Sequence, residues 1–300
     1  MRFTDADVPD QSGRTFFVTG ANTGIGFEAA RVLARRGARV LMGCRNPAKA
    51  EAARDQILAE TPSADLGLVS LDLADLDSVR AAAEVVGAEP RLDVLVNNAG
   101  VMMPPKTLTA QGFELQIGVN HLGPFALTGL LWPKLNEQAG ARIVNTSSNG
   151  HRMGMVDFDD VAAEKSYRSL ERYGASKLAN LLHAYELQRR LQAKGSGIVV
   201  TAAHPGGPDT ELFRHIPGAF RSVARIVSLP FLNQPRAGCW PTLAAATLPD
   251  VAAGTYFGPW FFQLRGAAKV VQSNATSHDR ALQQKLWEWS IELTGVDPGL

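Results

Sequence analysis

Short apolar runs alternate with longer amphipathic stretches through about the first 200 residues, the pattern of βαβ units that build a parallel sheet. Five runs read as strands covered on both faces: Thr15 to Thr19, Ala38 to Gly43, Leu66 to Ser70, Leu92 to Asn97 and Ala141 to Ser147. Gly197 to Ala203 makes a sixth. The stretches between them carry helical spacing and helical stop signals. Gly24 to Arg36 ends at Gly37, Pro47 to Glu60 has proline in its first turn and Pro62 just beyond, and Tyr173 to Ala193 ends at Gly195. Leu76 to Val86 and Asn120 to Asn136 complete the helical set. Right-handed crossovers between such strands give an α/β fold, a Rossmann-type doubly wound parallel sheet with helices on both faces.

After Pro205 the pattern changes. Residues 205–241 are rich in proline and glycine with bulky apolar residues between them, and are expected to form a substrate loop or lid. A weak strand follows at Gly254 to Phe257, and the last clear helix is His278 to Leu293, carrying Trp287 and Trp289. No polar linker, repeat or low-complexity segment divides the chain, so residues 1–300 read as one domain.

Composition then excludes several function classes. A chain of 300 residues that is 45% apolar supplies a large interior, which argues against disorder. Thirty basic against 29 acidic residues leave a formal charge of +1, too little to attract a nucleic-acid backbone. Cys44 and Cys239 make neither a disulfide framework nor a metal motif, which suits a reducing compartment. The segment Met1 to Gly13 has neither the basic start nor the apolar core of a signal peptide, and nowhere do 18 apolar residues run together. A cytoplasmic protein without a membrane span is expected. The six histidines show no metal-ligand spacing, and Asp157, Asp159 and Asp160 read as a solvated acidic bend, so no metal is expected.

Chemistry enters at the end of the first strand, where Gly20-Ala21-Asn22-Thr23-Gly24-Ile25-Gly26 leads into a helix. Glycines allow a sharp turn and close backbone approach to a pyrophosphate, while the helix N-terminus offers unpaired N–H groups and about half a positive charge. Gly20, Asn22, Thr23, Gly24, Ile25 and Gly26 are therefore the candidate phosphate cradle. Arg45, after the second strand, stands where an acidic residue would accept from an adenosine 2′-hydroxyl; an arginine there pairs with a 2′-phosphate, which favours NADP(H) over NAD(H). Asp72, followed by Leu73, is placed for the adenine ring, or alternatively for a helix N-cap. Asn98-Ala99-Gly100, at the end of the fourth strand, is small and polar where a cofactor would need close approach.

Tyr173 and Lys177 share one helix face at i, i+4. A tyrosine with a pKa near 10 must shift by about 3 units, roughly 4 kcal/mol, to exchange protons near neutral pH. One ammonium about 4 Å away, at an effective dielectric near 20, supplies about 4 kcal/mol. Ser148, with Ser147 as the near alternative, follows the fifth strand at the carboxyl edge of the sheet, where a hydroxyl can hold a substrate carbonyl. Asn120 opens a helix at the same edge and serves either the site or as that helix's N-cap. Met102, Met103, Met153, Met155, Phe213 and Phe220 either line a lipophilic pocket or pack the core.

Together, residues 19–26, Asn97-Asn98-Ala99-Gly100, Asn120, Ser148, Tyr173-x-x-x-Lys177 and His204-Pro205-Gly206 resemble the short-chain dehydrogenase/reductase family over about residues 12–215. Finer resemblance is to its retinol dehydrogenase and protochlorophyllide reductase-like branch, through Gly43-Cys44-Arg45-Asn46, Ser176-Lys177-Leu178-Ala179-Asn180 and the acidic stretch Val156 to Glu171. The resemblance implies that Tyr173 is the general acid/base, that Lys177 lowers its pKa and holds the nicotinamide ribose, and that Ser148 orients the carbonyl. It also implies that Asn120 supports a water relay and that Pro205, Gly206 and Thr210 close over the nicotinamide. The expected activity is NADP(H)-dependent interconversion of a carbonyl and an alcohol on a lipophilic small molecule. Two rivals stand beside it: a non-catalytic dinucleotide-binding sensor or scaffold, and a redox epimerase that retains NAD. Pairing into a homo-oligomer through the tyrosine-bearing helix is a further implication.

Overall fold

The computed structural model describes residues 2–207 and 234–300. Strands β1 (Thr15–Thr19), β2 (Arg39–Cys44), β3 (Asp65–Ser70), β4 (Val94–Asn97), β5 (Arg142–Thr146) and β6 (Val199–Ala203) occur where the apolar runs predict them. They pair in parallel, and β7 (Tyr256–Phe261) continues the sheet in parallel beside β6. A last strand, β8 (Arg265–Val270), is antiparallel to β7, so the sheet runs β3-β2-β1-β4-β5-β6-β7-β8. The sequence reading has no β8. Its residues, RGAAKV, carry little strand propensity, and the turn before it lacks the Asn-Gly pair that announces a tight hairpin. Phe262 and Gln263 instead adopt φ of 48° and 58° themselves, and Phe3 holds the strand's outer edge with bonds of 3.0 and 2.7 Å to Ala268.

The helices are α1 (Gly24–Arg35), α2 (Pro47–Glu60), α3 (Leu76–Gly87), α4 (Leu115–Ile117), α5 (Gly123–Asn136), α6 (Ser169–Ala193), α7 (Pro235–Gly238), α8 (Trp240–Thr247) and α9 (Arg280–Thr294). Successive strand side chains point to opposite faces, so each strand feeds two cores. Phe17, Leu41, Leu95, Ile143 and Val200 join α3, α5, α6 and α9 on one face. Phe16, Val18, Val40, Met42, Val94, Val96 and Val144 join α1, α2 and α8 on the other. A fully buried side chain of this kind contributes roughly 1.5–3 kcal/mol, and the two layers hold the sheet from both sides. Edge strand β3 is the exception to two-sided cover, with its ends exposed.

The chain leaves β1 toward β2 and β3, then returns to β4 on β1's other side. The crossovers therefore diverge at the carboxyl ends of β1 and β4, which opens a crevice there. On the opposite flank α9 lies over α5 and α6. Trp287, 3% exposed, meets Phe125 edge-on with ring centroids 5.2 Å apart. The following tail is tied by Trp132 Nε1 donating to the Pro298 carbonyl at 2.8 Å and by Arg80 donating to the Thr294 carbonyl at 3.0 Å. Among the described residues no helix is long and apolar enough to cross a membrane.

Candidate active site

Thr19, the last residue of β1, staples the two strand ends that border the crevice. Its hydroxyl accepts from the Asn98 and Ala99 amides, each at 3.0 Å, and donates to the Val96 carbonyl at 3.3 Å. The Asn98 side chain returns a bond of 2.9 Å to the Thr19 carbonyl. Against this junction the glycines have sequence-specific reasons. Gly20 has φ of 69° and a Cβ there would sit 3.0 Å from Ala99 Cα. A Cβ on Gly26 would collide with the Gly20 carbonyl. The N-cap of α1, Thr23, makes no side-chain capping bond, and α1 opens at Gly24, just past the carboxyl end of β1, with the positive end of its dipole there. Beneath the loop lies buried Cys44, whose sulfur accepts from the backbone of Ala21 and Asn22; burial pushes its thiol up to about 11, so it is a packing group.

Arg45 reaches into solvent at the crevice rim, its side chain 71% exposed, with Nε 3.9 Å from Asp72 Oδ2. Asp72 does not cap α3. Asp75 does, accepting from Asp77 N at 3.0 Å, while Asp72 Oδ1 accepts from Ala74 N at 3.0 Å in a local turn. Leu73 is buried and packs on α5 at Gly123, where a Cβ would lie 2.6 Å from the Leu73 carbonyl.

Tyr173 lies in the second turn of α6, because the helix opens at Ser169 rather than at the tyrosine. Lys177 follows one turn later and is 4% exposed. Its Nζ stands 5.7 Å from the Tyr173 ring centroid and donates to the Thr146 carbonyl at 3.3 Å. Burial pushes the Lys177 amine down to about 8, which leaves it charged at neutral pH. The same Thr146 carbonyl accepts from Asn180 Nδ2 at 2.9 Å.

The two serines after β5 separate cleanly. Ser147 is buried and its hydroxyl donates to the Lys177 carbonyl at 2.8 Å, so it fastens α6 to the sheet. Ser148 is half-buried and its Oγ accepts from Gly150 N at 3.2 Å. Gly150 is also where serine and tyrosine come together: a Cβ there would lie 3.2 Å from Tyr173 Cε1 and 3.6 Å from Ser148 Oγ.

Asn120 is not a helix N-cap, contrary to one of the two expectations. It sits inside a π-helical turn, Gly118–Leu122, that joins α4 to α5 as one run. Glu114 caps that run by accepting from Gln116 N and Ile117 N at 2.9 and 3.1 Å. The wide turn aims the Asn120 amide at Val101, accepting from its N at 2.7 Å and donating to its carbonyl at 2.9 Å. A second donor bond of 2.9 Å reaches Ser176. A Cβ on Gly100 would lie 3.0 Å from Asn120 Oδ1 and 3.3 Å from Lys177 Nζ, so the ends of β4, α4–α5 and α6 converge here.

Pro205 and Gly206 lie beyond β6. Gly206 has φ of 96°, and a Cβ there would strike the Leu264 carbonyl, which also accepts from Gly207 N at 2.9 Å. A Cβ on Gly238 of α7 would lie 3.4 Å from Ile25 and 3.7 Å from Pro205, which ties the phosphate loop to this strand end. Thr210, Phe213 and Phe220 lie outside the described residues, as does most of 205–241. Met153 and Met155 are 62% and 82% exposed near the serine loop and pack no core. Asp160 corrects the expectation of a solvated bend. It is buried, accepts from Glu164 N at 2.7 Å and pairs with Arg172 at 2.7 Å, which pins the acidic stretch onto α6 beside Tyr173.

Sequence reasoning missed Thr19, Thr146, Ser176 and Asn180. Thr146 acts through its carbonyl, which leaves no side-chain signal. Thr19, Ser176 and Asn180 stand within the motifs, but their partners lie far away in sequence.

A doubly wound sheet with a glycine cradle at its switch point and a Ser-Tyr-Lys-Asn cluster at the same edge defines a dinucleotide-dependent oxidoreductase. The family model for short chain dehydrogenases matches residues 14–218, and the chain belongs to that family, whose members interconvert carbonyls and alcohols. Within it the chain falls in the retinol dehydrogenase-like branch. It is 41% identical to Retinol dehydrogenase 12 of Mus musculus over 98% of this chain and 89% of that protein. It is likewise 41% identical to Retinol dehydrogenase 11 of Homo sapiens, over 95% of this chain and 86% of that protein. Among solved structures, an uncharacterized protein from Mycobacterium Paratuberculosis superposes with a TM-score of 0.81 at 39% identity, over 100% of both chains. A blue fluorescent protein from a metagenomic library, in complex with NADPH, gives 0.64 at 26% identity, over 82% of this chain and 96% of that one.

Proposed function

We propose that this protein is an NADP(H)-dependent oxidoreductase acting on a lipophilic aldehyde, ketone or alcohol. The observation that carries the reading is the convergence of Ser148, Tyr173, Lys177, Asn120 and Gly100 at the sheet edge beside the open N-terminus of α1. The crevice fits a dinucleotide: the first-turn amides of Gly24 to Gly26 suit a pyrophosphate, and Asn98, Ala99 and Gly100 form a floor of small residues. Asp72 and Leu73 border the adenine position, and Pro205 and Gly206 border the nicotinamide end. The exposed Arg45 guanidinium suits a 2′-phosphate, and its weak pair with Asp72 is easily exchanged. The bound dinucleotide supplies or accepts the hydride.

The chain's residues handle the oxygen and its proton. Ser148 Oγ already accepts from Gly150 N, so its O–H is the part that donates to a substrate oxygen. Tyr173 gives that oxygen a proton in reduction and takes it back in oxidation. Lys177, charged and buried, with its Nζ 5.7 Å from the centre of the Tyr173 ring, favours the phenolate. Asn120 holds the Val101 backbone beside Gly100 and bonds Ser176, next to the lysine. The exposed Met153 and Met155 and the names of the retinol dehydrogenase relatives support an apolar substrate. The free, buried thiols of Cys44 and Cys239 fit a reducing, cytoplasmic setting.

The test is turnover, followed by nicotinamide absorbance, with aldehydes and ketones of rising chain length and either NADPH or NADH. Faster turnover with NADPH and with longer apolar chains is expected. Dinucleotide binding without turnover of any substrate would retire the enzymatic reading in favour of a sensor.

A further inference from the structure

The serine loop has an anchor outside the family-matched region. Ser148 is the N-cap of a 3-10 turn, Asn149–Met153, whose one buried residue is His151, at 0% exposure. The imidazole bridges two backbone groups. Its Nδ1 lies 2.6 Å from the Ser148 carbonyl, and its Nε2 lies 3.2 Å from the backbone N of Asn274. Asn274 N can only donate, so Nε2 is the bare acceptor and Nδ1 carries the proton that goes to Ser148. Only one neutral tautomer satisfies both ends. Burial, and then the charge of Arg152, hold the imidazole pKa below its usual value, against the opposing bond to Ser148, so the neutral form is the one present near pH 7.

The same stretch of chain holds the turn at three more points. Asn274 Nδ2 reaches the His151 carbonyl at 3.4 Å, Arg152 donates to the Gln272 carbonyl at 2.8 Å, and Asn149 donates to the Gln263 carbonyl at 3.0 Å. Asn274 is itself fixed, since its Oδ1 caps the turn Ala275–His278 by accepting from Ser277 N at 3.2 Å. The Ser148 carbonyl thus receives both the His151 ring and, at 3.0 Å, the His151 amide, while the grip on the far side of the ring comes from Asn274, outside the matched family region.

We propose that His151 is a positioning residue, which with Asn274 sets the Ser148 hydroxyl at the distance and angle that the reaction needs. The inference rests on the reading of Ser148 as the group that holds the substrate oxygen. Because His151 touches the serine's carbonyl and not its Oγ, it acts only through the backbone of the loop. A misplacement of an ångström at a reacting group lowers rate on the order of 100-fold, which sets the scale of the effect.

The experiment compares His151→Leu, His151→Asn, Asn274→Pro, Ser148→Ala and the double variant Ser148→Ala/His151→Leu by kcat, KM and dinucleotide affinity. His151→Leu is expected to lower kcat about 10- to 100-fold with dinucleotide affinity unchanged. His151→Asn, which keeps a donor near the Nδ1 position, is expected to restore most of that loss. Asn274→Pro deletes the donor to Nε2 at a φ of −75° that proline accepts, and is expected to lower kcat about three- to tenfold. The double variant is expected to be no slower than Ser148→Ala alone, because His151 works through that serine. Additive losses in the double variant, or full kcat in His151→Leu, would overturn the proposal. Should His151→Leu not fold, full kcat in Asn274→Pro together with a dead His151→Asn would overturn it equally. If Ser148→Ala keeps full turnover, the reading of Ser148 fails first.

Discussion

Residues 14–207 and residues 234–300 are built on different logic. The earlier region positions its groups at element ends: the glycine cradle after β1, Arg45 after β2, Asn98 to Gly100 after β4, and Ser148 after β5. Short spacings and strand order suffice to bring them together. The later region contributes no residue to the proposed reacting cluster, yet it touches that cluster's supports at several places. The β7–β8 turn holds Gly207 and Asn149, and α9 packs on α5 and α6 and meets the π turn through Ser290 Oγ, 2.9 Å from Nε2 of His121, next to Asn120. The contrast teaches that the candidate groups lie at strand ends and on the helices that border them, whereas several of their supports come from long-range packing.

The contrast can be broken from either side. The largest effect is expected from Tyr173→Phe, which deletes the proposed proton donor and should lower kcat about 100- to 10,000-fold while NADPH still binds, as tryptophan-to-nicotinamide energy transfer would report. Next comes Trp287→Ala in the supporting region. Removing a ring buried against Phe125 and His183 should lower unfolding free energy by about 3–5 kcal/mol in urea titration. Dinucleotide affinity of the remaining folded protein should not change.

Lys177→Met sharpens the division between stability and function. A buried amine held at about 8 rather than 10.5 destabilises the charged fold by about 3 kcal/mol. The sign follows from proton counts: between about pH 8 and 10.5 the unfolded chain binds more protons than the folded one, so stability rises with pH across that window. Below it the destabilisation is complete. Lys177→Met should therefore melt higher at pH 7, lose the rise above pH 8 and be inactive; Asn180 still satisfies the Thr146 carbonyl in its absence. The smallest effect is expected from Arg45→Ala. An exposed guanidinium on a phosphate is worth about 1.4 kcal/mol, so KM for NADPH should rise about tenfold and that for NADH should hardly move.

Legibility in the sequence follows the same divide. Six strands, the cradle and the Tyr-Lys pair were visible because period and spacing report neighbours in the chain. The start of α6 at Ser169 carries no sequence signal, because its N-cap, Arg168, makes no side-chain capping bond. The π turn around Asn120 has no signal in the sequence, since the bonds its asparagine makes, to Val101 and Ser176, are to residues 19 and 56 positions away. β8 was missed because edge pairing, not composition, makes it a strand. Ser148 is already preferred over Ser147 from the sequence; that Ser147 is engaged with the Lys177 carbonyl has no sequence signal, because the two lie 30 residues apart.

The most direct test of the whole account uses NADPH carrying deuterium at the transferable C4 position with a long-chain aldehyde, and mass spectrometry of the alcohol formed. The account predicts one deuterium on the new carbinol carbon with the wild-type protein, and almost no alcohol with Tyr173→Phe at equal NADPH occupancy. Alcohol without label, or equal product from the two proteins, would contradict it.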